Sequence, residues 1–209
     1  MDSTRILLHE ERATVLKDLH RRRRYPMTRR NKIIFRLSCC CGLRRKEIAG
    51  LNVNDVIVGG PRPCIRIRKG ITKGRNGERR ARTVPLWHDS ETLTDLAKWI
   101  ECRVKMGAGA HDPLVCKMHR DAIGTRMIPM EVSRGWKVAI RALGKERVRQ
   151  LSVHKGRHTC ASILLDAGYS LATIRDWLGH RNIAITNIYV HAIAEDRIRD
   201  VFAPRPLAS

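Results

Sequence analysis

Residues 151–168, LSVHKGRHTCASILLDAG, combine two histidines and an arginine with a mostly apolar stretch. The apolar residues recur at helical spacing and predict a helix over 152–167. Its buried stripe is predicted to contain Cys160, Ile163, Leu164 and Ala167. His154, Arg157 and His158 are three and four residues apart, so they leave the same side of that helix. This face allows four interpretations. It is a solvated surface, a buried histidine whose hydrogen bonds are satisfied, a metal site, or a site that catalyses a reaction of an anionic substrate.

The charge of the whole chain indicates a polyanionic partner. The 209 residues suit one large domain, or one domain with extensions, and include 42 Lys+Arg against 20 Asp+Glu, a net charge of +22. Such an excess favours nucleic acid or an anionic membrane surface. No apolar run approaches the roughly 18–20 residues that span a membrane, and MDSTRILLHEE lacks the order of a signal peptide. We therefore expect a cytoplasmic protein that binds nucleic acid.

The cysteines indicate neither a disulfide framework nor a zinc site. There are 7 of them, an odd number, and no C-x-x-C pair occurs. They are Cys39, Cys40, Cys41, Cys64, Cys102, Cys116 and Cys160. We expect small buried hydrophobes in a reducing compartment, with no metal and no cofactor.

The order of predicted elements is helices, a small sheet, then helices again. DVIV and CIRIR are β-branched runs separated by turn residues, which predicts a hairpin, and 79–86 can add a third strand. Ser90 is the expected cap of the helix that follows the sheet. The predicted helices are 9–20, 28–42 (ending near Gly42), 45–51, 90–105, 130–143, 152–167, 171–178, 182–190 and 191–200. The fold class is therefore α+β, mainly helical with a small three-stranded antiparallel sheet.

Four motifs stand at fixed positions along the chain. H-x-x-R occupies 154–157, L-G-H occupies 178–180, and Tyr189 follows nine residues later. CCCGLRRKEIAGLNVNDV (39–56) and RTVPLW (82–87) lie upstream. In these motifs the chain resembles the tyrosine recombinase (phage integrase) family, whose boxes are G-L-R-x-x-E-I, R-x-V-P-L, H-x-x-R and L-G-H with a tyrosine nine residues on. The resemblance extends from about Leu8 to Val201 and implies the family's catalytic domain.

The resemblance implies a role for each matching residue. Tyr189 is the nucleophile that forms a covalent 3′-phosphotyrosine with broken DNA. Arg44 and Arg157 bind the nonbridging oxygens, because planar guanidiniums match them in pairs. His154 moves a proton at the phosphate, and His180 hydrogen-bonds a nonbridging oxygen.

The resemblance also implies a general acid, for which there are two candidate lysines, and two supporting residues. The family uses a lysine in the turn between the second and third strands to protonate the leaving oxygen. We prefer Lys73, because a K-G there is followed by the R-x-V-P-L strand, and Lys69 stays the alternative. Glu47 matches the acid of the first box and is expected to orient Arg44, while His158 supports the site.

The resemblance also implies a domain division. We expect an N-terminal extension over 1–7, a catalytic DNA breaking and rejoining domain over 8–201, and a C-terminal tail over 202–209. Family members carry an N-terminal core-binding domain that closes a clamp around DNA, and here the first box begins at Gly42, so that domain is expected to be absent. The chain is then either a natural minimal recombinase or a catalytic fragment.

The implied function is site-specific recombination of double-stranded DNA, as part of a mobile genetic element, by a tetramer on two DNA sites. It needs no metal, no small-molecule cofactor and no membrane. Two alternatives remain. A type IB-like topoisomerase would share the chemistry but relax supercoils indiscriminately, and a noncatalytic DNA-binding regulator would use the same fold without strand cleavage.

Overall fold

The structure, a computed structural model, describes residues 6–72 and 81–179. Eight α-helices and three strands are found in these ranges. The helices are α1 (His9–Arg21), α2 (Pro26–Cys39), α3 (Arg45–Gly50), α4 (Ser90–Lys105), α5 (Pro129–Ala139), α6 (Lys145–Gln150), α7 (Val153–Asp166) and α8 (Leu171–Leu178). The strands are β1 (Val56–Ile57), β2 (Cys64–Ile67) and β3 (Arg82–Pro85). The α+β class with a small sheet is confirmed.

The sheet is antiparallel in the order β1-β2-β3. Ile65 at its centre pairs with Val56 on one side and Val84 on the other. Ile65 and Val84 are fully buried, whereas Arg66, the next residue along β2, is exposed. One face of the sheet therefore covers the core and the other faces solvent.

Helix α2 lies at the centre of the helical part and packs against α4, α5 and α7. Its apolar side chains Ile33, Ile34 and Leu37 are buried, and so are the polar side chains Arg30 and Arg36. Arg36 donates to Asp95 at 3.0 Å and to Glu91 at 2.8 Å, both on α4. Ion pairs of this kind let a charged residue such as Arg36 lie inside the protein.

The end of α2 turns the chain toward the first arginine box. Gly42 has φ 70°, and the Leu43 N–H donates to the Leu37 carbonyl at 2.9 Å, which closes the helix as a left-handed glycine cap. A Cβ at position 42 would lie 2.5 Å from Leu178 Cδ2. Glycine is therefore required both by the backbone conformation and by the close approach of α8.

Some boundaries differ from the predicted ones. The cap of α4 is Asp89, whose carboxylate accepts from the Thr92 N–H at 2.8 Å, and Ser90 is the first helical residue. The helix expected over 130–143 ends at Ala139 and continues as a 3-10 turn, Arg141–Leu143. Helix α6 was missed, because six mostly polar residues carry no apolar period. The helices predicted at 182–190 and 191–200 lie outside the described residues.

All seven cysteines lie in described residues, and their thiols are free. Cys39, Cys41, Cys116 and Cys160 are buried, and the other three are partly buried. Burial raises the pKa of the Cys41 thiol well above its ordinary value. Within the described ranges, no helix is long and apolar enough to span a bilayer.

Candidate active site

Two segments that are distant in sequence meet around one buried carboxylate. Arg44 precedes α3, Glu47 lies in its first turn, and Arg157 lies in the second turn of α7. The Glu47 side chain is fully buried. Its Oε1 accepts from Arg44 Nη1 at 3.1 Å, and its Oε2 lies 4.0 Å from Arg157 Nη1. The two arginines of the sequence motifs thus share one counter-ion.

Glu47 also fixes the start of α3. The Arg44 backbone N–H donates to Glu47 Oε2 at 2.8 Å, as in a capping box. Burial by itself would raise the pKa of the Glu47 carboxyl. Hydrogen bonds from Arg82 and the nearby charges of Arg82 and Arg157 outweigh that effect and hold the pKa below its ordinary value. Glu47 is therefore an anion placed between cationic groups, and the expectation that it orients Arg44 fits this geometry.

Arg157 is held by backbone carbonyls as well. Nη1 donates to the Gly42 carbonyl at 2.6 Å, and Nη2 donates to the carbonyl of Leu178. Its side chain is 1% exposed, whereas that of Arg44 is 26% exposed. The common histidine and arginine face predicted for α7 is therefore not a uniform surface, because Arg157 is covered by α8 and by the turn before Arg44.

The two histidines of α7 lie side by side. His154 is exposed, His158 is half-buried, and their ring centroids are 4.5 Å apart in an edge-to-face arrangement. His154 lies one turn before Arg157, as the spacing predicted.

Among the described residues, no group of three or more His, Cys, Asp or Glu side chains could hold a metal ion. Of the predicted stripe on α7, Cys160 and Leu164 are buried and Ile163 is partly buried, while Ala167, the cap residue after Asp166, is exposed.

The end of α8 closes the cluster. Arg44 Nη2 donates to the carbonyl of Gly179 at 3.4 Å, and Gly179 caps α8 with φ 65°. Gly179 is the last described residue before His180. His180 and Tyr189 themselves lie outside the described residues, and so does Lys73.

Lys69 belongs to a turn attached to the Gly50 end of α3, opposite the end at Arg44. It is exposed and begins a 3-10 turn, Lys69–Ile71. Arg68 fixes this turn by donating to Asp55 at 2.8 Å and to the Gly50 carbonyl at 2.7 Å. Helix α3 has six residues, so Gly50, where the turn is attached, lies about 9 Å along the helix axis from Arg44.

Arg82 is a member of the cluster for which the sequence analysis predicts no catalytic role. The arginine begins β3, and its side chain is 10% exposed. Nη1 and Nη2 donate to the two Glu47 oxygens at 2.8 and 2.9 Å. The sequence identifies Arg82 only as the first residue of the R-x-V-P-L box, and its pairing with Glu47 is a long-range contact that a single sequence does not show.

Comparison with known proteins gives consistent results. A family model described as the phage integrase family matches residues 6–196. The chain is 30% identical over 174 residues to tyrosine recombinase XerC of Corynebacterium efficiens, an alignment that covers 83% of this chain and 50% of that protein. It is 28% identical over 167 residues to XerC of Vibrio cholerae, covering 79% and 48%. The chain thus spans about half the length of the relatives it matches.

Solved structures share the fold. The crystal structure of XerA recombinase superimposes with a TM-score of 0.73 at 21% identity, covering 96% of this chain and 64% of that one. The post-cleavage complex of XerH site-specific recombinase with palindromic difH substrate gives a TM-score of 0.66 at 21% identity, covering 94% and 52%. At these identities the likeness concerns the fold alone.

Proposed function

The chain belongs to the phage integrase family, and from this premise we propose that it cleaves and rejoins DNA strands at specific sites through a covalent 3′-phosphotyrosine. The observation that carries the proposal is the convergence of Arg44 and Arg157 on the buried Glu47 carboxylate. Guanidiniums from two separate motifs then lie close together, and that of Arg44 is partly exposed to an incoming phosphodiester. The relatives named tyrosine recombinase XerC support the same activity.

The proposed step exchanges one phosphodiester for another. The Tyr189 oxygen attacks phosphorus, a bond from that oxygen to phosphorus forms, and the bond to the 5′ oxygen of the next nucleotide breaks. The phenolic proton passes to His154, and the leaving oxygen takes a proton from Lys73, or from Lys69 in the alternative assignment. No electrons are transferred overall. Attack by a 5′ hydroxyl on the phosphotyrosine reverses the step and reseals the strand.

The charge that builds on the nonbridging oxygens is assigned to Arg44, Arg157 and His180. Arg44 is the more exposed of the two guanidiniums, so we expect the phosphate to meet it first. Arg157 is 1% exposed. Its direct contact with phosphate therefore requires that DNA binding uncover it. Glu47 orients the arginines, and His158 supports His154 by their ring contact.

Double-stranded DNA is the proposed partner. The net charge of +22 supports tight and salt-sensitive contact with phosphates. XerH has been solved on its difH substrate. We propose that residues 8–201 form the catalytic domain, that it acts on DNA in the cytoplasm, and that four copies act on two DNA sites.

The test uses nicked duplexes of randomised sequence, in which the cleaved fragment diffuses away and the covalent complex accumulates. We expect the chain to form a denaturation-resistant complex with a subset of sequences, also in the presence of EDTA. Tyr189→Phe is expected to bind the same duplexes without forming the complex. Supercoiled plasmid is the second substrate.

Each outcome of this test has a distinct meaning. Sequence-dependent covalent complexes support recombination, whereas indiscriminate relaxation of the plasmid would replace it with a topoisomerase activity. If no duplex yields a complex and Tyr189→Phe behaves as the unmodified chain in every assay, the protein is a noncatalytic DNA-binding regulator.

A further inference from the structure

We propose that Arg82 is a positioning residue of this reaction, which holds Glu47 and the end of α8 so that Arg44 and Arg157 take their places at the phosphate. The inference rests on the proposed function and concerns Arg82, the first residue of the R-x-V-P-L box, which carries none of the catalytic roles assigned above. It concerns a side chain that touches neither DNA nor the reacting atoms.

The bond between Arg82 and Glu47 is bidentate. Its two N–H···O distances are 2.8 and 2.9 Å, and the carboxylate is fully buried. A planar guanidinium fixes both the position and the rotation of a carboxylate in this way, which a lysine cannot do.

The same carboxylate oxygens serve the first arginine box. Oε1 accepts from both Arg82 and Arg44, and Oε2 accepts from Arg82 and from the Arg44 backbone N–H. Arg157 stands 4.0 Å from Oε2. The Arg82 side chain is 10% exposed and that of Arg44 is 26% exposed, so Arg82 is the more deeply buried anchor of the carboxylate. Rotation of the Glu47 carboxylate would change its hydrogen bonds with both Arg44 and Arg82.

Arg82 also contacts the end of α8. Its Nε donates to the Trp177 carbonyl at 2.9 Å. A Cβ at Gly179 would lie 3.0 Å from Arg82 Cδ and 3.3 Å from Nε, so the glycine packs directly on the arginine side chain. The Gly179 carbonyl in turn accepts from Arg44. Arg82 therefore joins β3, α3 and the segment that leads into His180.

Electrostatics gives this role a pH signature. Burial alone would raise the pKa of Glu47, and the contacts with Arg82 are the first of those that lower it. Without Arg82, the pKa of Glu47 rises and its carboxyl takes up a proton at a higher pH. A neutral Glu47 attracts Arg44 and Arg157 less strongly, so the site loses its arrangement as the pH falls.

The experiment compares Arg82→Lys and Arg82→Gln with Arg66→Lys, an exposed arginine on the neighbouring strand β2. Covalent complex formation is followed on the nicked duplex selected with the unmodified chain, at saturating DNA, across a range of pH. We expect both Arg82 variants to cleave roughly 100-fold more slowly, since a small misplacement of catalytic groups costs about that factor. DNA affinity should change by no more than about twofold.

The pH profile separates positioning from a general loss of structure. In Arg82→Gln the acid limb of the cleavage rate is expected at higher pH than in the unmodified chain, and Arg66→Lys should leave the profile unchanged. If the unmodified chain cleaves and the Arg82 variants match Arg66→Lys in rate and profile, the inference is overturned while the proposed function stands. If the unmodified chain cleaves no duplex, the proposed function fails.

A second comparison covers the case in which Arg82→Gln fails to fold. In the Glu47→Gln variant there is no carboxylate at position 47. Adding Arg82→Gln to this variant therefore leaves no buried carboxylate without its partner. We expect the double variant to cleave within about twofold of Glu47→Gln, because two residues that act as one unit are not additive. A further loss of tenfold or more would mean that Arg82 acts independently of Glu47, which also overturns the inference.

Discussion

Arg157 donates a 2.6 Å hydrogen bond to the carbonyl of Gly42, which lies two residues before Arg44. The helix that carries His154 and the turn before Arg44 are therefore joined by Arg157, which is itself a predicted catalytic residue. Arg157 is almost fully buried, so this bond lies in a low-dielectric environment where such contacts are strong. A displacement of α7 is therefore expected to move the backbone turn before Arg44 with it.

Replacement of Arg44 by lysine should slow cleavage and leave the fold intact. A lysine keeps the charge but cannot donate in parallel to two oxygens, so we expect a cleavage rate about 100-fold lower for Arg44→Lys. The rate is measured as covalent complex formation on nicked duplex at saturating DNA. Arg45→Lys, at the exposed next position, is the matched control. Equal rates for the two variants would remove Arg44 from the catalytic set.

The sequence predicted the elements of the fold well and the neighbours of individual side chains less well. Periodicity indicated α1, α2, α4 and α7, because each has an apolar face of several turns. It could not indicate that Arg157 is buried, because that depends on α8 and on the Gly42 turn. The role of Arg82 was missed for the same reason, since its partner Glu47 lies on another element. Local caps were also ambiguous, as Asp89 and Ser90 are adjacent and both suit the position.

Gly156 should tolerate no side chain. A Cβ there would lie 2.1 Å from Ser38 Oγ and 2.9 Å from Cys39 Sγ, where α7 crosses α2. Alanine is the better helix former, but the overlap outweighs that preference, and we expect Gly156→Ala to lower the free energy of unfolding by about 1–3 kcal/mol. Urea unfolding measures it. Gly70→Ala is the control, because open space surrounds that position. An unchanged or raised stability for Gly156→Ala would contradict the close packing of α7 on α2.

Loss of the Glu47 charge should destabilise the protein in a pH-dependent way. Glu47→Gln leaves Arg82 without its buried counter-ion, and we expect a loss of about 3–5 kcal/mol at pH 7. The folded-state pKa of Glu47 is lowered, so its contribution is complete above its ordinary pKa of about 4.3 and disappears as the pH falls through the folded value. The difference in unfolding free energy between the chain and Glu47→Gln should therefore shrink at low pH.

The control for this series is Glu101→Gln, at an exposed position of α4. It should change the unfolding free energy by less than about 0.5 kcal/mol, as most surface substitutions do. A Glu47→Gln difference that stays constant down to pH 3 would mean that the Glu47 carboxyl is not held ionised by the surrounding arginines.

The general acid can be identified by the leaving group it serves. An alkoxide leaves DNA only with a proton, whereas a sulfur leaving group with a pKa near 8.5 departs without one. A duplex with a bridging 5′ sulfur at the scissile position should therefore restore cleavage to a variant that lacks the acid and to no other. We expect Lys73→Ala to be slowed by about 100-fold or more on the oxygen substrate and to cleave the sulfur substrate at nearly the unmodified rate.

Lys69→Ala is the matched variant, four residues earlier in the same turn. Arg68 anchors the backbone beside Lys69 to Asp55 and to the end of α3, away from Arg44, so removal of the Lys69 side chain should leave both substrates cleaved at close to the unmodified rate. Rescue of Lys69→Ala by sulfur, with Lys73→Ala unaffected, would transfer the acid role to Lys69. If sulfur rescues neither slowed variant, the proton does not come from a lysine of this turn, because only the protonation step is relieved by that substitution.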